Sequence, residues 1–94
     1  MTATTRTFRL SVERAEGALE RVLGVVRRRN LGLERLMVSP AEDGAWDIRV
    51  EAAATDGEAG LALRQFTALI DVRTARMGPR ASGASAGSDQ AEAG

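Results

Sequence analysis

Hydrophobic and polar residues alternate strictly in the segment TFRLSVE at residues 7–13. Phe8, Leu10 and Val12 share one face of this segment, and polar side chains occupy the other. A period of two is typical of a strand with one buried face. The segment AWDIRVEA at residues 45–52 alternates in the same way, so the pattern predicts two half-buried strands. The inward positions of the second strand are Trp46, Ile48, Val50 and Ala52.

The spacing of apolar residues changes after Ala18 to the three-and-four pattern of a helix. The predicted apolar stripe consists of Leu19, Val22, Leu23 and Val26. Acidic residues lie near the start of this helix and three arginines at its end, which suits the helix dipole. Asn30 or Gly32 can supply the left-handed residue that ends it.

A second helix is predicted after the segment ATDG, where Thr55 or Asp56 is the N-cap candidate. Its apolar stripe consists of Ala59, Ala62, Leu63, Phe66, Leu69 and Ile70. Two further strands are predicted, one in LGLERLMVS before Pro40 and one in DVRTARM, where Val72 is the best core candidate.

The predicted order is β-α-β-β-α-β, which indicates an α+β, ferredoxin-like fold with two helices on one face of a four-stranded antiparallel sheet. The outer face of that sheet is charged, and its side chains are expected to pair across strands. The expected participants are Arg9, Asp47, Arg49 and Glu51. The domain is predicted at residues 5–77. The small, polar segment at 78–94 is predicted to be a disordered tail.

Composition excludes several classes of function. The chain has 94 residues, no cysteine and no histidine, so disulfides, thiolate catalysis, Cys/His metal sites and imidazole chemistry are absent. Its 13 basic residues, all arginine, balance 13 acidic ones, which gives no general attraction to nucleic acid. No apolar run approaches a membrane span, and the N-terminus does not resemble a signal peptide, so a cytoplasmic location is expected.

The fold itself leaves the function open. An RNA-binding sheet needs exposed aromatic residues on its central strands, but Phe8 and Trp46 are predicted to face the core. A metal chaperone needs a cysteine pair in the first loop, and no catalytic nucleophile and base are evident. A regulatory ligand module is compatible, because the N-terminus of the first helix offers free N–H groups. Gly17 either admits a ligand to that backbone or relieves a tight turn.

The stretch GALERVLGVVRRR followed by LERLMVSP, and the later QFTALIDVRTARM, resemble the ACT domain of the small subunit of acetolactate synthase (acetohydroxyacid synthase). In that family, an Asn-x-x-Gly-type loop precedes L-x-R-V on the first helix. A double-basic helix end, a Gly/Asn-rich turn and a strand ending in proline follow. The similarity extends over residues 7–77.

The resemblance implies a non-catalytic subunit of the short type, without a second C-terminal domain. Such subunits bind and activate a catalytic large subunit that carries thiamine diphosphate, and Mg and FAD are expected there too. No cofactor is expected in this chain. The resemblance further implies a homodimer with side-by-side sheets. The balanced charge and the lack of a long apolar run predict no contact with nucleic acid or membrane. The alternative is a free-standing, amino-acid-sensing ACT module that acts on another partner.

The resemblance also implies an effector site for a branched-chain amino acid at the first loop and the turn after the first helix. The corresponding residues are Arg14, Gly17, Ala18, Leu19, Gly32 and Leu33. Valine-sensitive members carry asparagines where this chain has Arg14 and Gly32. Weak or absent valine feedback is therefore expected, unless Arg14 meets the carboxylate of the effector.

Overall fold

The computed structural model describes residues 2–78, and within them the predicted order of elements is confirmed. The elements are β1 (Thr4–Val12), α1 (Ala18–Arg28), β2 (Gly32–Pro40), β3 (Trp46–Ala54), α2 (Asp56–Ala68) and β4 (Val72–Gly78). Strand β1 begins earlier than the alternating pattern indicated. Except for Gly78, which ends β4, the predicted tail lies outside the described residues.

The four strands form one antiparallel sheet in the order β2-β3-β1-β4. Strands β1 and β3 pair along their whole length, from Thr4 opposite Ala54 to Val12 opposite Trp46. Strand β2 is one edge and β4 is the other. This arrangement confirms the ferredoxin-like fold that the element order predicted.

The core lies between one face of the sheet and the two helices. Phe8, on β1, and Phe66, on α2, are both fully buried, and their rings meet edge to face with centroids 5.3 Å apart. Such a pair contributes about 0.5–1.5 kcal/mol beyond the burial of its area. The other large, fully buried side chains are Leu10, Val12, Val22, Val25, Ile48 and Val50.

Helix α1 is rotated slightly from the predicted stripe. Ala18 and Val25 are buried together with Val22 and Val26, whereas Leu19 and Leu23 are only partly buried. The sheet explains the difference, because β2 is an edge strand and nothing in residues 2–78 covers the side of α1 that lies toward it. A stripe drawn from hydrophobicity alone cannot distinguish the covered side from the open one.

The sequence left two candidates for the residue that ends α1 and two for the N-cap of α2, and the structure selects one of each. Asn30 has a φ of 59° and ends α1, whereas Gly32 lies in β2. Thr55 is the N-cap of α2, and it forms a reciprocal capping box with Glu58, at distances of 2.9 and 3.2 Å.

Ile70 is the clearest error in the predicted core, since 89% of its surface is exposed. The helical spacing included it, but α2 ends at Ala68 and the next residue, Leu69, is extended. The chain has therefore left the helical geometry before Ile70. Val72 is partly buried and packs against the core, as expected for a residue of an edge strand.

The charged outer face of the sheet does not pair as predicted. The register places Arg9 opposite Arg49 on one side and opposite Arg76 on the other, while Asp47 faces Ser11. Glu51 forms its ion pair with Arg35 instead, at 3.8 Å. The alternating pattern identified the face correctly, but only the register decides which side chains are neighbours.

We expect Phe66→Leu to lower the free energy of unfolding by about 1–2 kcal/mol, because it removes the ring pair and leaves a partly filled space. Urea denaturation followed by circular dichroism measures the change. Leu61→Ala on the same helix is the control, since Leu61 is 47% exposed and its truncation is expected to change stability by only about 0.5 kcal/mol. Equal losses in the two variants would contradict the assignment of Phe66 to the core.

Candidate effector site

The loop between β1 and α1 is tied to the turn that precedes β4. The N–H of Glu13 donates to the carbonyl of Asp71 at 2.8 Å. Within the loop, the N–H of Ala15 donates to the carbonyl of Glu13, and the N–H of Ala18 to that of Ala15. The loop therefore makes two successive tight turns and delivers the chain to the first residue of α1.

Gly17 is the N-cap of α1 and has a φ of 80°, the left-handed region that favours glycine. A Cβ at this position would also lie 2.9 Å from Nη1 of Arg21. The backbone angle therefore favours glycine here, and a Cβ would in addition require the flexible end of the Arg21 side chain to shift. Of the two roles considered for Gly17, the tight turn accounts for the residue without any ligand, and Arg21 already occupies the space beside it.

Arg21 links the two loops through its side chain. Its Nε donates to a carboxylate oxygen of Asp71 at 2.6 Å, and its Nη2 donates to the carbonyl of Glu16 at 3.0 Å. The hydrogen bond to Asp71 is the main cause that raises the pKa of Arg21 above its ordinary value. Asp71 is itself only 8% exposed, so this pair is sheltered on the carboxylate side.

The start of α1 is left without a side-chain cap, because glycine has no oxygen to offer. The N–H groups of the first turn of a helix have no partners within the helix and carry its positive dipole end. Ala18 is buried there and Leu19 is partly buried. The N–H of Ala18 is already bonded to the carbonyl of Ala15, so the donors that remain in the first turn are the N–H groups of Leu19 and Glu20. Such donors suit a small ligand with a carboxylate.

Arg14 lies on the other side of the loop. Its side chain is exposed, and its guanidinium carbon is 5.9 Å from the centre of the Trp46 ring, within the range of a cation–π contact. This contact holds Arg14 near the start of β3. A ligand carboxylate at the helix start would have to draw Arg14 away from Trp46.

A second cluster of charges braces the same end of the sheet. Arg73 forms ion pairs with Glu13 and, at 2.6 Å, with Asp43 in the turn between β2 and β3. The hydrogen bond to Glu13 is the main cause that raises the pKa of Arg73. The N–H of Ala45 is the main cause that lowers the pKa of Asp43, and Arg73 adds to it. Two loops are thereby joined to the start of β4.

The remaining predicted site residues, Gly32 and Leu33, lie at the opposite end of α1. This helix has 11 residues, so its ends are separated by about 16 Å. A single chain therefore does not bring Gly32 and Leu33 together with Arg14 and Gly17. If all six residues form one site, the second set comes from another copy of the chain.

Leu33 belongs to an exposed apolar strip along the β2 edge. It is 45% exposed, and Val38 on the same face of the strand is 41% exposed, whereas Met37 is 37% exposed and lies on the open face opposite Arg49. Leu33 also lines a shallow groove of about 380 Å³ with Leu23 and Val26 of α1. All but one of the residues of β2 are exposed, so the edge is open along its length.

Arg21 and Asp71 form the tie at this site, and sequence reasoning missed both. They are 50 residues apart, and each is an ordinary residue in its own segment. The only local signal was the spacing of Gly17 and Arg21, since a residue four positions after an N-cap extends its side chain back over the cap.

Residues 2–78 hold neither a metal centre nor a membrane-spanning helix. No group of three or more Asp, Glu, His or Cys side chains in this part of the chain is arranged to hold a metal ion. Neither α1 nor α2 is long and apolar enough to span a membrane.

The ferredoxin-like fold by itself is compatible with many functions. Comparison with known families decides the class: the family model "ACT domain" matches residues 14–75. The chain belongs to the ACT domain family, and its class is that of a ligand-sensing regulatory domain. No curated protein sequence matches the chain significantly.

Solved structures agree with the fold. The crystal structure of the ACT domain from GTP pyrophosphokinase of Chlorobium tepidum is similar, with a TM-score of 0.71, 14% identity, and coverage of 81% of this chain and 99% of that one. The uncharacterized protein TM1266 from Thermotoga maritima is similar with a TM-score of 0.68 and 14% identity, and the match covers 82% of this chain and 96% of that one. The C-terminal domain of the MgtC protein from Mycobacterium tuberculosis is similar with a TM-score of 0.67 and 11% identity, and the match covers 81% of this chain and 86% of that one.

We expect Gly17→Ala to destabilise the chain by about 1–2 kcal/mol, because an L-residue at this φ is strained and its Cβ displaces Arg21. The same change at Gly60, inside α2, is expected to stabilise by about 0.5–1 kcal/mol, because the added methyl group would meet no heavy atom within 4 Å. Chemical denaturation of both variants measures the difference. If Gly17→Ala stabilised the chain as Gly60→Ala does, the tight-turn role would be wrong.

Proposed function

We propose that this ACT domain is the non-catalytic small subunit of acetolactate synthase, and that it binds and activates the catalytic large subunit. Support comes from the order of three matched segments, GALERVLGVVRRR, LERLMVSP and QFTALIDVRTARM, which lie in that order between residues 17 and 77. The thiamine diphosphate, Mg and FAD of the reaction belong to the large subunit in this proposal.

The proposal includes a homodimer formed through the β2 edges. The separation of the predicted site residues is the observation that carries it, because Gly32 and Leu33 cannot reach the first loop of their own chain. If two β2 strands pair side by side and antiparallel, the start of one β2 meets the end of the other. Gly32 and Leu33 of one copy then approach the end of the sheet that holds Arg14 and Gly17 of its partner.

The character of β2 is consistent with this assembly. An edge strand with nine residues and free backbone groups is a template for pairing, and monomeric proteins usually protect such an edge with charges or a covering element. Strand β2 carries the charged Glu34 and Arg35 and a register shift after Leu33, but it also exposes Leu33 and Val38 on its helix-side face. Joining two copies covers these side chains and extends the core of a domain that is too small to bury much surface alone.

Weak or absent valine feedback is part of the proposal. The two asparagines of valine-sensitive relatives are replaced by Arg14 and Gly32, and each unmade polar contact costs about 1–3 kcal/mol of affinity. Arg21 further fills the space beside Gly17. The loop keeps its backbone donors, but it has lost the side chains that would orient an amino acid there.

Activation is expected to act by population shift. A non-catalytic subunit raises the activity of its partner only if it binds the active conformation more tightly than the inactive one. In this proposal the ACT dimer is a rigid platform, since Arg21 and Arg73 tie its loops together. The large subunit then adopts the conformation that fits the platform.

Sedimentation equilibrium tests the dimer. The wild-type chain is expected to be dimeric, and Leu33→Glu monomeric, because a carboxylate in the apolar strip of both copies is unfavourable to bury. Leu61→Glu is the matched control, since Leu61 is as exposed as Leu33 but lies on α2. It is expected to remain dimeric. A dimer that persists in Leu33→Glu would exclude the β2 edge as the interface.

Acetolactate formation tests the proposed partner. The large subunit of the same organism is assayed alone, with this chain, and with this chain plus valine. We expect activation of several-fold that valine changes little, and no activity from the chain alone. If there is no activation and no complex at micromolar concentration, the proposal fails. In that case, a rise in melting temperature with one of the twenty amino acids would indicate a free-standing sensor instead.

A further inference from the structure

Three arginines lie in one row across the open face of the sheet. Arg9 of β1 is the direct cross-strand partner of Arg49 on β3 and of Arg76 on β4. Their chain neighbours Phe8 and Leu10 are buried on the helix side, so this row points away from the core. Neighbouring strands are about 4.8 Å apart, so the row places three cationic side chains across about 10 Å.

The arginine row (Arg9, Arg49 and Arg76) is not neutralised within residues 2–78. The ion pairs there use other arginines, and none of the three has a carboxylate oxygen within 4.0 Å. Like charges directly opposite one another on a sheet are destabilising. The register of the sheet thus places two arginines opposite each other twice, once between β1 and β3 and once between β1 and β4. No ion pair within residues 2–78 relieves this repulsion.

The surroundings of the arginine row are shaped for contact. A shallow depression on one side is lined by Met37, Ser39 and Asp47, and another on the other side by Ser11 and Thr74. Asp47 borders both depressions without reaching ion-pair distance of the row. The face therefore offers three guanidinium groups with hydroxyl groups beside them. Two carboxylates flank Arg49 on the same face of β3, Asp47 on one side and Glu51, which is paired with Arg35, on the other.

We infer that the arginine row is a docking surface for an acidic patch on a protein partner. The inference rests on the proposed function for the identity of that partner, which is the catalytic large subunit. Guanidinium groups bind carboxylates with two parallel hydrogen bonds, so three in a row fit a patch with several Asp or Glu side chains. Bound carboxylates would relieve the repulsion that the free domain carries.

A nucleic acid is the less suitable partner for this face. Single-stranded nucleic acid is bound by stacking bases on exposed aromatic side chains. The chain has three aromatic residues, of which Phe8 and Phe66 are fully buried and Trp46 lies on the core side of β3. The formal net charge is zero, so the positive charge is local to the row. A localised acidic patch matches it better than an extended phosphate backbone.

The matched test compares two triple variants of the full chain. One replaces Arg9, Arg49 and Arg76 by glutamine. The other replaces Arg27, Arg28 and Arg64 by glutamine, three exposed arginines on the helices, and changes the net charge by the same amount. The first variant removes like-charge contacts, so its melting temperature is expected to be equal to or higher than that of the wild type, which shows that it folds.

The readout is the Kd of each chain for the purified large subunit, at low and at physiological salt. We expect the variant of the arginine row to bind about tenfold more weakly or worse, with little salt dependence left. The helix variant is expected to bind like the wild type. If the wild-type chain binds the large subunit and both variants bind with the same Kd, the inference is overturned and the proposed function stands. The same conclusion follows if only the helix variant loses affinity.

The remaining outcomes also decide the question. If the wild-type chain does not bind the large subunit, both the inference and the proposed function are wrong. If the variant of the arginine row changes the oligomeric state in sedimentation, the face belongs to a second copy of this chain and the inference is overturned. If the wild-type chain and the helix variant bind a fluorescent 20-nucleotide RNA and the variant of the arginine row does not, the inference is also overturned, because the partner of this face would then be a nucleic acid.

Discussion

The register between β1 and β3 is the constraint on which the rest of this domain depends. It aligns Phe8 with Val50 and Leu10 with Ile48, so that all four side chains lie under the helices and are buried. Because side chains alternate across a strand, the same register aligns the residues between them on the other face. The pairing of β1 with β3 therefore aligns much of the apolar core together with Arg9 and Arg49, and the pairing of β1 with β4 adds Arg76 to the row.

The loops at one end of the sheet depend on charges that bridge distant parts of the chain. Arg21 connects α1 to Asp71, and Arg73 connects β4 to Glu13 and Asp43. The first of these contacts also determines what Gly17 does, since the guanidinium occupies the space that glycine leaves. A loop that could have admitted an effector is thus partly filled from within the chain.

The two faces and the edge of the sheet divide the work of the proposed subunit. The β2 edge carries exposed apolar residues and unpaired backbone groups, which suits a contact between identical chains. The open face carries unneutralised charge, which suits a different and acidic surface. Separating the two contacts allows a dimer to form first and to present two arginine rows to its partners. The helices are then left to cover the core.

The sequence by itself determined the order of the elements, the fold class and most of the core, because alternation and helical spacing are local properties. It also located the capping residue Thr55 and the left-handed Asn30 among two candidates each. It could not locate the covered side of α1 or the end of α2, so Val25 was missed and Ile70 was wrongly included. Both depend on which strand is an edge and where the chain turns.

Only the tertiary structure decided the neighbours of charged residues. The pattern identified Arg9, Asp47 and Arg49 as one face, but it suggested pairing where the register produces repulsion. The contact between Arg21 and Asp71 joins residues 50 positions apart, and no local signal connects them. The six predicted site residues share no single location in one chain, because α1 separates them by its length. Charges and sites are set by distances in space, which hydrophobic periodicity does not contain.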